Sequence, residues 1–147
     1  MKKGRVLGID FGEKRIGLAL SDPSQTLARP LLVLENSKDL GDRIKALIEK
    51  EEVDHVVVGI PLNMDGNVGP KARQALQFKE WLEKLCGRKV QGWDERLTTV
   101  QAEQALRQGG LSAGRRAQKV DKVAAQILLQ SYLDSRQNVD ASGRPGE

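Results

Sequence analysis

Cysteine and histidine are almost missing from this sequence: Cys86 and His55 are single copies. A lone cysteine cannot close an intrachain disulfide, and it fits a reducing compartment. With His55 as the only other soft donor, a Cys/His zinc site is excluded. Aromatics are scarce too, and Phe11, Phe78, Trp81, Trp93 and Tyr132 are all there are. Read along the chain, too few of them cluster to make the stacking platform on which proteins hold single-stranded RNA. No stretch approaches the roughly 20 apolar residues of a membrane span. Lys2 and Lys3 precede an apolar run, but Asp10 breaks it too early for a signal peptide. A cytoplasmic protein with no membrane partner is expected.

What is present is a soluble globular composition of 147 residues, 39% apolar and 30% charged. Such a chain can bury roughly 70% of its unfolded surface without a metal or disulfide staple. Its 24 basic and 20 acidic residues leave a net charge of +4, which favours an anionic partner. There is no internal repeat. Residues 1–136 read as one domain, and 137–147, ending NVDASGRPGE, read as a disordered tail without apolar periodicity.

Short apolar runs at Arg5–Phe11, Arg15–Leu20 and Arg29–Leu34 predict three strands, the first two joined by a hairpin at Gly12-Glu13-Lys14. Ser37 can cap a helix whose Leu40, Ile44, Leu47 and Ile48 share one face. HVVVGI at His55–Ile60 predicts a strand buried on both faces. Loop residues follow to Gly69, and Pro70 then opens a helix reaching about Cys86. Lys89–Trp93 is a fifth strand. Thr98 and Gln101 have the spacing to cap a third helix that Gly109-Gly110 ends, and a fourth runs from about Ala113 to Ser135. The fold class is therefore α/β: a five-stranded mixed sheet, three strands antiparallel and then two parallel, flanked by helices. Short connections set the antiparallel pairs, and right-handed helical crossovers set the parallel ones. The first strand is central, between the second and the fourth.

Ligands of open α/β sheets bind beyond the carboxyl ends of the parallel strands. Asp10 and the pair Asp94-Glu95 stand at that edge, whereas Asp22 ends an antiparallel strand at the opposite edge and reads as a turn residue. Asp121 precedes Ala124, Ala125, Leu128 and Tyr132 at helical spacing, beside an apolar face. Any one of these carboxylates alone is an ordinary turn, cap or surface ion pair, Lys119 and Lys122 being the neighbours of Asp121. Together, converging carboxylates repel one another unless cations separate them. An oxygen-only site suits Mg²⁺ or Mn²⁺, and two such ions suit phosphodiester hydrolysis. Alternation leaves open whether Asp94 or Glu95 takes part.

The positive charge supports an anionic substrate. Between Arg107 and Lys122 lie Arg107, Arg115, Arg116, Lys119 and Lys122 against Asp121 alone. A basic patch beside acidic residues is what a nucleic-acid backbone requires, with a solvated helix face as the bland alternative. Arg15 and Arg96 flank the two acidic strand ends and can fork onto phosphates. His55 and Cys86 read as structural.

GIDFGEKRIGLALSD at Gly8–Asp22, GIPLNMDG at Gly59–Gly66, DERLTT at Asp94–Thr99 and VDKVAAQILLQSYL at Val120–Leu133 resemble the YqgF (RuvX) family, in order and over about residues 4–135. That resemblance implies a ribonuclease H-like fold, related to Holliday junction resolvases, and a hydrolase acting on ester bonds at the 5′ end of precursor 16S ribosomal RNA. The family's acidic positions fall on Asp10, Glu95 and Asp121, which would serve as catalytic residues and as ligands of two Mg²⁺ or Mn²⁺ ions. They select Glu95 over Asp94. Arg15, Arg96, Arg115, Arg116 and Lys119 are the expected nucleic-acid contacts. Two alternatives stand beside this reading. One is a resolvase of branched DNA, which needs a homodimer to cut symmetrically. The other is a non-catalytic RNA-binding factor of ribosome assembly, and a ribosomal particle is an expected partner in either RNA reading. Actin-like and sugar-kinase ATPases share a GIDFG-like motif, but their two domains do not fit in 147 residues.

Overall fold

The computed structural model describes residues 4–98 and 113–137, with side chains for 4–98 and 123–136. Strands β1 (Arg5–Asp10), β2 (Arg15–Ser21) and β3 (Ala28–Glu35) come first. Helix α1 (Leu40–Lys50), strand β4 (Val53–Ile60), helix α2 (Pro70–Cys86) and strand β5 (Val90–Asp94) follow. A 3₁₀ turn (Glu95–Leu97) and helix α3 (Ala113–Gln137) complete the described elements. The sheet order is β3-β2-β1-β4-β5. β2 pairs antiparallel with β1 and β3, and β4 pairs parallel with β1 and β5. This is the expected mixed sheet with β1 at its centre.

Alternation divides each central strand between two layers. Leu7, Ile9, Ile16, Leu18, Val56 and Val58 pack against α1 and α2, meeting Leu40, Ile44, Ile48, Phe78 and Leu82. Val6, Ala19 and Val57 face the other way, onto Ala125, Leu129, Tyr132 and Leu133 of α3. Each fully buried aliphatic side chain contributes about 2 kcal/mol relative to exposure. α3 sits directly on the backbone of β1: a Cβ added at Gly8 would lie 2.8 Å from Leu129 Cβ.

Helix ends differ in how they are made. α2 starts with Gly69 as cap and Pro70 in its first turn, as the sequence predicts. It stops at Gly87, whose φ of 64° is the left-handed conformation that glycine adopts without strain. α1 departs from expectation. Ser37 does not cap it, because its hydroxyl donates to the Asp39 carboxylate, and the helix begins at Leu40 instead.

β3 carries a bulge. Leu18 pairs with Leu32 but Ala19 with Pro30, which leaves Leu31 over and puts the proline where no ladder donor is needed. α3 grips the start of this strand through glutamines. Gln130 Oε1 accepts from the Ala28 N–H at 2.8 Å, Gln126 Nε2 donates to the Ala28 carbonyl at 3.2 Å, and Gln130 Nε2 donates to the Thr26 carbonyl at 3.0 Å. The helix expected from Thr98 to Gly109-Gly110 and the expected tail past Gln137 lie outside the described residues. No described helix is long and apolar enough to cross a membrane.

Candidate active site

The carboxyl ends of β1, β4 and β5 lie side by side. Ile9 is level with Val58, so Asp10 comes next to Gly59, and Gly59 pairs in turn with Trp93. Asp10 shares its parity with Val6 and Gly8, so it stands on the α3 face of the sheet. It is buried, 6% exposed, at the last residue of the strand.

Glu95 lies over the same face. A Cβ on Gly59 would be 3.0 Å from Glu95 Oε2, 3.1 Å from its Cγ and 3.0 Å from Leu128 Cδ2 of α3. The glutamate is thus laid across bare backbone and covered by a helix. It is 2% exposed, and its Oε1 has no hydrogen-bond partner among the described residues. Burial first, and the charge of Asp94 second, push its carboxyl up to about 7, with Lys71 working the other way. A buried, unsatisfied carboxylate oxygen is costly and calls for a proton or a cation.

Asp94 has the opposite fate. It pairs with Ile60, whose side chain belongs to the α1/α2 layer, so alternation turns it away from Glu95. Its carboxylate caps the 3₁₀ turn through the Arg96 N–H at 2.9 Å. Arg96 also forks onto it, Nε at 3.1 Å from both oxygens and Nη2 at 2.7 Å from Oδ2. That guanidinium holds the Asp94 carboxyl below its usual range. Backbone alternation and this ion pair therefore separate the two neighbours, which the sequence pattern alone leaves unresolved.

Arg96 is a clasp as well as a cation. Its Nη1 donates to the Met64 carbonyl at 3.2 Å, tying the 3₁₀ turn to the loop after β4. Expected as a nucleic-acid contact, it has its fork occupied by Asp94. Arg15 starts β2, opposite Glu35. It has the parity of Gly17, the partner of Asp10, and so lies on the α3 face towards the same edge. Asp121, Arg115, Arg116 and Lys119 all fall on α3, and their side chains lie outside the described residues. Asp121 is four positions before Ala125 and seven before Leu128, on the helical row that covers the site.

Asp22 is a turn residue, as expected. Its carboxylate accepts from the N–H groups of Thr26 at 2.8 Å and Leu27 at 3.1 Å and from the Ser24 hydroxyl at 2.6 Å. The Ser24 bond, then those two backbone bonds, hold its carboxyl far below the usual range. His55 is buried between Asp54 Oδ2 and the Tyr132 hydroxyl, each 2.8 Å from a ring nitrogen, which is a structural role. Gly59 is the site residue that the sequence reading overlooked. Its signal was a glycine inside a β-branched run, which marks a close approach of something to the backbone.

The chain has recognisable relatives. Residues 4–135 match the sequence family described as RuvX, Holliday junction resolvase. A protein of Caldanaerobacter subterraneus named "Putative pre-16S rRNA nuclease" is 44% identical over 137 residues, covering 91% of this chain and 99% of its own. One of the same name from Protochlamydia amoebophila is 43% identical over 144 residues, covering 92% and 96%. Among solved structures, Thermus thermophilus RuvC in complex with Holliday junction substrate superposes with a TM-score of 0.55 at 20% identity, covering 97% of this chain and 99% of its own.

Proposed function

This chain belongs to the RuvX family, and on that premise we propose that it is a metal-dependent nuclease that hydrolyses phosphodiester bonds in 5′-end maturation of precursor 16S ribosomal RNA. The observation that carries the chemistry is the placement of Asp10 and Glu95 on one face of the sheet, with Glu95 Oε1 buried and lacking a partner among the described residues. The substrate rests on the names of the relatives.

The donors fit hard divalent cations. Both carboxylates offer oxygen only, and a cation would satisfy the Oε1 that no donor among the described residues reaches. Asp10, Glu95 and Asp121 would hold two Mg²⁺ or Mn²⁺ ions. When bound, the ions supply an activated water and neutralise charge on the leaving oxygen. The chain's own residues do the rest. Asp10 fixes the site at the end of the central strand of the sheet. Glu95 holds a proton at acidic pH and gives it up near neutrality, so its donor capacity grows as pH rises through about 7. Arg15 orients the phosphate from the neighbouring strand, and Arg115, Arg116 and Lys119 hold the flanking backbone.

The test is cleavage with Mg²⁺ or Mn²⁺ of RNA carrying the precursor 5′ leader, beside a DNA four-way junction, by the native protein and Asp10→Asn. Cutting of the leader by the native protein alone is the expected result. Cleavage retained by Asp10→Asn overturns the site assignment, and symmetric cutting of the junction alone moves the substrate to branched DNA.

A further inference from the structure

The residue after Asp10 opens onto a second site. Phe11 turns to the other face of the sheet, where it packs against the α1/α2 core. There it lines a cavity of about 480 Å³ together with Phe78, Trp81, Gln74, Gln77 and Asn36. Three of the five aromatics meet in this cavity, Phe11 coming from far off in sequence to join Phe78 and Trp81. The rings of Phe11 and Phe78 are 4.6 Å apart between centroids, and those of Phe78 and Trp81 5.6 Å. Along the chain too few aromatics stand together, but the fold brings Phe11, just after β1, against Phe78 of α2.

Trp81 is the unusual member. It is 44% exposed, yet it is held in place. A Cβ on Gly41 would lie 3.1 Å from its Cζ2 and 3.2 Å from its Cη2, so the indole rests on bare backbone of α1. Gln74 Nε2 donates to Glu13 Oε1 at 3.1 Å, fastening the β1–β2 hairpin to α2 along the cavity wall. The exposed amides of Gln77 and Asn36 complete the rim, Asn36 Nδ2 also donating to the Gly12 carbonyl at 3.3 Å.

We propose that this cavity binds one unpaired nucleobase of the substrate strand, stacked on Trp81 and read at its edge by Gln77 and Asn36. This deepens the nuclease reading and rests on it. The size suits a single flat heterocycle with its sugar. Aromatic faces beside amide donors and acceptors are what a splayed base requires. The cavity adjoins the cleavage edge through consecutive residues, Asp10 on one face and Phe11 on the other. The bound base therefore belongs to a nucleotide close to the one being cut.

Binding is tested without cleavage, in chelator, with short homopolymeric oligoribonucleotides of each base. Trp93→Phe leaves Trp81 as the reporting indole. Saturable quenching of Trp81 that an abasic position removes is the expected result. Trp81→Ala should weaken oligonucleotide binding about tenfold, and Gln77→Ala, on an exposed helix face, should weaken it less while keeping the melting temperature. Oligonucleotide binding with no change in Trp81 emission and no loss in Trp81→Ala overturns the proposal and leaves the nuclease reading intact. Quenching that depends on protein concentration without RNA assigns the face to a second copy and also overturns it. Quenching retained in a protein that cuts nothing would separate the two readings the other way.

Discussion

Replacing Glu95 by glutamine should stabilise the metal-free protein, and only at neutral and alkaline pH. The Glu95 carboxyl is pushed up from 4.5 to about 7, chiefly by burial. The folded protein therefore holds this proton more tightly than the unfolded chain does. Between those two values the native state loses stability as pH rises, and above about 7 the whole cost of a buried anion is in place. That displacement corresponds to about 3 kcal/mol. Solvent relieves little of it, because the side chain is 2% exposed. Glutamine keeps the shape and carries no charge. Urea unfolding in chelator should thus show Glu95→Gln more stable than the native protein by about 3 kcal/mol near pH ~8.5 and equal to it near pH ~4. Other titrating groups cancel in the comparison. A difference that is the same at both pH values, or a variant that is weaker at alkaline pH, would refute the desolvated carboxylate. Mn²⁺ at about a thousand times its Kd should reverse the order, since it adds about 4.1 kcal/mol to the protein that binds it.

Two further substitutions probe the support of the site. Gly59→Ala places a methyl 3.0 Å from both Glu95 Oε2 and Leu128 Cδ2, and it should cost about 1–3 kcal/mol in denaturant unfolding while lowering cleavage more than Ala at an exposed loop position does. Arg96→Ala frees the Asp94 carboxylate beside Glu95 and unties the Met64 loop. Its cleavage profile should shift to higher pH, and Arg96→Lys, which restores a charge but not the fork, should recover part of that shift; an unmoved profile in Arg96→Ala would show that the clasp does not govern Glu95.

The sheet was legible because its signals are local and agree with one another. Hairpin spacing set β1, β2 and β3, helical crossovers set β4 and β5, and β-branched runs marked the buried strands. Its carboxyl edge then drew attention to Asp10. What stayed hidden depends on geometry that composition does not carry. β5 reads VQGWD, with apolar Val90 and Trp93 on opposite parities, so alternation in the sequence does not assign a face. The 3₁₀ turn then resets the direction of Glu95. Arg96 looked like a phosphate contact because it follows two acids, but the same proximity let it close on Asp94. Ser37 looked like a cap because nothing in the sequence tells whether a hydroxyl will prefer the helix or the carboxylate of Asp39. The aromatic cluster is purely tertiary, since only the packing of α2 on β1 joins Phe11 to Phe78 and Trp81.

The glutamines of α3 have a consequence beyond fastening a strand. Among the described residues, β3 is the outer strand on its side of the sheet, with a hydrogen-bonded strand on one flank only. Such a margin is a template on which another chain can add itself and begin aggregation. Here the N–H and C=O of Ala28 are both already engaged by Gln130 and Gln126, and Pro30 withholds a donor two residues on. A newcomer finds the first rungs taken and the next one missing. The helix that roofs the acidic site thereby also guards the far margin of the sheet against self-association.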